Sequence, residues 1–246
     1  MNTLICDLDG VVYLGDEEIP GAGGALRRLD DAGWQLLFCT NNATRTPRQT
    51  ADKIRRLTGY GVEPGQVATS AQAAATLLQP SDRVFVVGGE GLVEAVAGVA
   101  EVTTDWRAAD VVVVGLDPHL SYERLSGAVL AIGNGARFLA SNHDPTYPAP
   151  EGLRPGAGAI VEAIAHATAR RPEIAGKPHI PMQRLLADRA RGNVWIVGDR
   201  DDTDLAMGRA AGWRTARVAT GVRDESATPP DIEAADLAAV VDHLLA

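Results

Sequence analysis

The chain has 246 residues, 46% apolar and 22% charged, with a formal net charge of −9. That composition excludes a disordered chain, and the acidic balance argues against a nucleic-acid partner, which would call for a basic face. No apolar run reaches the ~20 residues that a spanning helix needs, so no membrane partner is expected.

Taken in chain order, short apolar runs alternate with helical patterns, the signature of an α/β fold built on a mainly parallel sheet. Leu4-Ile5-Cys6 reads as a strand ending at Asp7. Two carboxylates occur by residue 9, with neither a basic start nor a long apolar stretch, so a cytoplasmic location is expected. Gln35 to Cys39 is a second strand, closed by Thr40-Asn41-Asn42. Thr46 then reads as a helix N-cap, with Pro47 at the first helical position and Ala51, Ile54 and Leu57 on one face. Further strands are expected at Arg83–Val87, Val111–Val114, Arg137–Ala140, Val194–Val197 and Arg214–Val218. Helices are expected at Gly156–Arg171 and Met182–Arg191. Cys6 and Cys39 lie inside strand-like runs, which fits reduced core thiols rather than a disulfide framework. Strands ending in Asp or Thr/Asn fall near residues 7, 40 and 199. This placement predicts a core in two parts, residues 1–69 and 176–246, interrupted by an inserted domain over 70–175.

Four clusters carry chemistry. Asp7 and Asp9 stand two apart at a strand end, so their side chains can face one side. In an open α/β sheet the carboxyl ends of strands are where ligands bind. Paired carboxylates repel and want a divalent cation or a proton between them. One of them can attack phosphorus to form an aspartyl-phosphate, while the other handles protons. A solvated turn is the plain alternative. Thr40, Asn41 and Asn42 offer a hydroxyl and backbone N–H groups that can hold phosphate oxygens, although the same residues also make ordinary turns. Lys177, in Gly176-Lys177-Pro178, can neutralise phosphate charge. It stands out slightly because arginine supplies most of the basic residues. After the apolar strand Val194–Val197, Asp199 is placed to bind a hard cation through oxygen. Asp204 could orient a metal-bound water or Lys177, and Asp201 and Asp202 read as caps or solvent-facing groups.

In this order, Asp7-Leu8-Asp9-Gly10-Val11-Val12-Tyr13, Thr40-Asn41-Asn42, Gly176-Lys177-Pro178 and Gly198-Asp199…Thr203-Asp204 resemble the four motifs of the haloacid dehalogenase (HAD) superfamily. More narrowly they resemble its type IIA, NagD-like or p-nitrophenylphosphatase-like branch. Gly15–Pro20, Ala140–Asp144, Pro155–Ala159 and Thr220-Gly221-Val222 fit the same branch. The resemblance implies a Rossmann-like three-layer core with a large inserted α/β cap of type C2. It further implies a Mg²⁺-dependent phosphatase in which Asp7 is nucleophile and metal ligand. Asp9 would be the acid/base and lend its backbone carbonyl to the metal. Thr40, Asn41 and Asn42 would bind the phosphoryl group, and Lys177 would pair with Asp7 and the phosphate. Asp199 would be a metal ligand, with Asp204 behind it. Tyr147 falls where relatives place a substrate-contacting residue; a packed loop aromatic is the alternative. His143 is expected to stabilise its loop. The substrate class implied is a small phosphorylated metabolite such as phosphoglycolate, glycerol phosphate, pyridoxal phosphate or a nucleoside monophosphate, and pairing into a homodimer through the cap is a habit of relatives. Dehalogenation would need neither Asp9 nor Asp199. A phosphomutase, or a non-catalytic phosphate sensor with the same acidic pocket, stays open as a second reading.

Overall fold

The computed structural model describes residues 2–149, 152–221 and 228–246. Its elements run β1 (Asn2–Asp7), β2 (Tyr13–Leu14), β3 (Glu17–Glu18), α1 (Ala22–Asp31), β4 (Gln35–Thr40), α2 (Pro47–Thr58), β5 (Val67–Thr69), α3 (Ser70–Ala75) and β6 (Arg83–Val87). Next come α4 (Glu90–Ala97), β7 (Glu101–Thr103), β8 (Val111–Val114), α5 (Tyr122–Gly133), β9 (Arg137–Ala140), β10 (Thr146–Ala149), β11 (Gly152–Pro155), α6 (Ala157–Thr168) and β12 (Glu173–Ile174). The chain closes with α7 (Ile180–Ala187), β13 (Asn193–Gly198), α8 (Ala206–Ala211), β14 (Arg214–Val218), β15 (Ile232–Ala234) and α9 (Leu237–Leu245).

The chain forms two compact units. One comprises Met1–Thr40, Pro47–Ala68 and Gln183–Ala246; the other comprises Asn41–Thr46 and Thr69–Met182. These bounds differ from the insertion expected at 70–175. The loop after β4 and the Gly176-Lys177-Pro178 turn both belong to the second unit, because side-chain hydrogen bonds tie them together there.

The first unit is a six-stranded sheet in the order β15-β14-β13-β1-β4-β5. β1 pairs parallel with β13 on one side and with β4 on the other, with Cys6 opposite both Val197 and Phe38. Parallel pairing of non-consecutive strands requires crossovers that cover both faces, so the central strands are apolar on both sides. β1 accordingly buries Leu4, Ile5 and Cys6, and β4 buries Leu36, Leu37, Phe38 and Cys39. Ala51 and Ile54 of α2 pack into the same core, with Leu57 partly buried beside them. Thr46 is the residue immediately before that helix, and it is buried. Both cysteines are free and buried.

The second unit has its own five-stranded sheet, β12-β9-β8-β6-β7, again parallel at each pairing. The run Val111–Val114 is completely buried, as a central parallel strand should be. Phe85, Phe138, Ile132 and Ile164 belong to the core on this sheet. β10 and β11 form an antiparallel hairpin beyond it, with Tyr147 opposite Arg154.

Two helices depart from expectation: α6 spans Ala157–Thr168 rather than Gly156–Arg171, ending where Ala169 turns left-handed, and α7 shifts further. Rather than Met182–Arg191, α7 spans Ile180–Ala187. Pro181 is accommodated in its first turn, where a missing N–H costs nothing. Past Ala187, Arg191 turns aside to donate its N–H to the Thr3 hydroxyl, and Gly192 takes a positive φ.

Candidate active site

The chemistry of the first unit converges at the carboxyl end of its central strands. β1 ends at Asp7, which is 7% exposed, and its neighbour β13 ends at Gly198, followed by Asp199 at 4%. Because the two strands are adjacent and parallel, their last residues leave the sheet at the same edge. After Asp199 the chain makes a π-helical turn, Asp201–Leu205, that runs straight into α8. This wider turn brings Asp204, 1% exposed, back over the strand end. A Cβ added to Gly198 would lie 2.3 Å from that of Asp204, so only glycine lets the turn fold back this closely.

Asp7, Asp199 and Asp204 each place a carboxylate oxygen within 4.8 Å of the others. At that spacing like charges repel by about 3–4 kcal/mol per pair at a protein-like effective dielectric. Burial removes the water that would screen them. Three buried hard oxygen donors of this kind suit an oxygen-seeking divalent cation such as Mg²⁺.

The walls are built to hold Asp199 in place. A Cβ on Gly221 would fall 1.9 Å from Asp199 Oδ2, and one on Gly10 2.7 Å from the same oxygen. Gly10 also needs its φ of +88°, since the turn after β1 folds tightly enough for Val12 and Tyr13 to donate to the Leu8 carbonyl. The Thr220 hydroxyl donates to the Gly10 carbonyl at 2.5 Å, linking the loop after β14 to the loop after β1. Thr203 donates its hydroxyl to Asp204 Oδ2 at 3.2 Å. Val222, expected to continue the Thr220-Gly221 motif, lies outside the described residues. Asp9 is half-buried, and its backbone bridges to Tyr13 within the same turn. Thr40 ends β4 and is buried.

The remaining candidates belong to the second unit. Asn41 and Lys177 are both buried there, and the Asn41 carboxamide bonds to the backbone of Lys177. Asn42 is exposed, and its side-chain oxygen accepts from the Thr44 N–H and hydroxyl, an Asx turn that shapes the loop. Tyr147 sits half-buried on β10. The His143 ring contacts Glu162 of α6 at 2.8 Å and so pins its loop to that helix. Hydrogen bonding from His143, with Arg171 beside it, holds the Glu162 carboxyl below the usual range. His179, two residues past Lys177, has its imidazole pushed below its ordinary value, by burial first and by His143 second. Of the acidic run after β13, Asp201 is held by Arg209 at 2.7 Å and Asp202 by Arg200 at 2.9 Å. These two are therefore ion-pair partners outside the carboxylate triad.

Some contacts within each unit were not expected from sequence. Ser70, whose hydroxyl donates to the Asn41 carbonyl, carried no motif. Gly221 and Thr220 were recognisable as a motif, but their contact with Asp199 and Gly10 depends on the β13-β14 pairing and is visible only in three dimensions.

Comparison with known proteins identifies relatives of the chain. A family model described as haloacid dehalogenase-like hydrolase matches residues 4–100, and a second HAD-like hydrolase model matches residues 174–246. The first stretch holds Asp7, Asp9 and Thr40; the second holds Lys177, Asp199 and Asp204. An acid sugar phosphatase of Staphylococcus saprophyticus is 36% identical over 251 residues, covering 98% of this chain and 96% of its own. Among solved structures, a glycerol phosphate phosphatase from Mycobacterium tuberculosis in complex with magnesium superposes with a TM-score of 0.89 at 35% identity, over 97% of this chain and 75% of that one. A p-nitrophenyl phosphatase from Archaeoglobus fulgidus gives a TM-score of 0.89 at 29% identity, over 98% of both chains. With its motifs matched at both ends and its fold shared along its length, the chain belongs to the haloacid dehalogenase superfamily of hydrolases, in the type IIA, NagD-like phosphatase branch.

Proposed function

We propose that this protein is a Mg²⁺-dependent phosphomonoesterase that hydrolyses a small phosphorylated metabolite of the sugar-phosphate class through an aspartyl-phosphate. The observation that carries the reading is the buried triad Asp7, Asp199 and Asp204 at the carboxyl end of β1 and β13. The substrate class follows the names of the relatives, an acid sugar phosphatase and a glycerol phosphate phosphatase.

In the first step a carboxylate oxygen of Asp7 attacks phosphorus and the ester P–O bond breaks. Asp9 gives its proton to the departing alkoxide. In the second step Asp9, now a carboxylate, takes a proton from water, and the resulting hydroxide attacks phosphorus. The bond to Asp7 breaks and inorganic phosphate leaves. Thr40, with the backbone N–H groups of Asn41 and Asn42, holds the phosphoryl oxygens. Lys177 offsets the charge on the phosphoryl group. Mg²⁺ would be held by Asp7, Asp199 and the Asp9 carbonyl, with Asp204 supporting them, and would supply charge neutralisation and a template for in-line attack. Residues 1–69 and 176–246 are proposed as the core and 70–175 as the cap, with Tyr147 on the cap hairpin selecting substrate and the cap the surface for pairing with a second copy. The protein is proposed to act in the cytoplasm.

Acid quenching during turnover, followed by peptide mass spectrometry, tests the intermediate. A phosphoryl adduct on the peptide containing Asp7, appearing and decaying with substrate, is expected. Turnover with no adduct at any quench time would sink the covalent route, and an adduct that never decays would turn the reading to a phosphate sensor.

A further inference from the structure

The Asn41 side chain does not reach outward as a ligand-binding amide would. It is 8% exposed, and its polar atoms are engaged within its own unit. Oδ1 accepts the backbone N–H of Lys177 at 2.8 Å, and Nδ2 donates to the backbone carbonyl of the same lysine at 3.2 Å. Nδ2 also donates to Asp144 Oδ1 at 3.2 Å. Oδ1 accepts once and Nδ2 donates twice, so the amide has a single workable orientation.

Asn41 is itself held. Its carbonyl accepts the Ser70 hydroxyl at 2.6 Å and the Asn142 amide at 2.7 Å. The Asn142 side-chain oxygen in turn accepts the Asp144 N–H at 3.1 Å, closing a ring of hydrogen bonds through Asn41, Asn142 and Asp144. Gly176 completes the seat. A Cβ there would stand 2.5 Å from Asn41 Oδ1 and 2.6 Å from the Ser141 carbonyl, so the glycine before the lysine is what lets the chain pass against Asn41.

We propose that the Asn41 carboxamide is a positioning residue for Lys177: it clamps both backbone polar groups of the lysine and so fixes the point from which its ammonium reaches. This rests on the reading of Lys177 as the charge-offsetting group above. Phosphate contact in the loop then falls to backbone N–H groups and Thr40, with the Asn41 side chain left out of it. Asp144 serves as the acceptor that keeps the amide from turning over.

A double-mutant cycle decides it, with kcat and KM measured on p-nitrophenyl phosphate with Mg²⁺ for Asn41→Ala, Lys177→Met and the double variant. Asn41→Ala should lower kcat roughly 10- to 100-fold, the scale of a misplaced catalytic group. In the Lys177→Met background the same change should cost no more than about twofold, because nothing remains to be positioned. An equal cost in both backgrounds overturns the proposal while leaving the lysine's role standing. Full activity in Lys177→Met removes that role, and the proposal falls with it. Should Asn41→Ala lose its near-UV circular dichroism, Asn41→Asp takes its place. That variant sets a carboxylate against Asp144, and adding Asp144→Asn should recover activity about fivefold or more. No recovery overturns the proposal.

Discussion

At the scale of single residues, the site is defined as much by glycines as by acids. Asp7, Asp199 and Asp204 supply charge, but Gly10, Gly198 and Gly221 supply the space that lets three carboxylates meet. With Asp199 as the proposed metal ligand, Gly221→Ala should displace it and raise the Mg²⁺ concentration for half-maximal activity roughly 10- to 100-fold, as changes behind metal ligands do. Metal titration of the activity checks this. The acids were legible in the sequence because each ends an apolar strand or opens a helix. Their glycine neighbours were legible only as motif letters, since a close approach between residues 199 and 221 depends on strand pairing. The division of labour in Thr40-Asn41-Asn42 was hidden for the same reason. Asn41 and Asn42 look alike in sequence, yet one side chain is buried against Lys177 while the other turns back on Thr44.

At the scale of elements, the parallel strands were the most legible feature. Arg83–Val87, Val111–Val114, Arg137–Ala140 and Arg214–Val218 form where the apolar runs place them, because strands buried on both faces have no competing reading at that length. Short edge strands such as β7 and β12 carried no such signal; their few residues are mostly exposed and pair only along one side. The helix α2 shows how burial grades within one face. Ile54 is fully buried, so Ile54→Ala should destabilise the protein by about 2–5 kcal/mol. Leu57, only partly buried at the margin of the same core, should cost less on truncation. Urea denaturation of the two variants compares them. Just past the end of that helix, burial and then Asp30 push the Tyr60 phenol above its ordinary value, up to about 12. The unfolded chain loses this proton first. The stabilisation tied to Tyr60 is thus complete below pH 10 and is lost as pH rises toward 12. A tyrosinate absorbance titration should show one group ionising near pH 12 that Tyr60→Phe removes, and the same variant should flatten the alkaline loss of stability.

At the scale of the whole molecule, the proposed cation would relieve the repulsion within the buried acidic cluster. Mg²⁺ at 100 times its dissociation constant should add about 2.7 kcal/mol to stability. The melting temperature should rise accordingly, and Asp199→Asn should abolish most of that rise. The spacing of strand-end acids led to an expected insertion over 70–175, and the second compact unit comprises Asn41–Thr46 and Thr69–Met182. The loop after β4 and the Gly176-Lys177-Pro178 turn lie far apart in sequence, yet hydrogen bonds join them to each other and to the rest of the second unit. The most direct test of the account is phosphate release from a panel of small sugar phosphates and glycerol phosphate, by the wild type and by Asp7→Asn, with Mg²⁺ and after chelation. Release should occur only with the wild type and metal together, and Asp7→Asn should lose roughly three or more orders of magnitude in kcat. Turnover that survives either Asp7→Asn or full removal of the metal would contradict it.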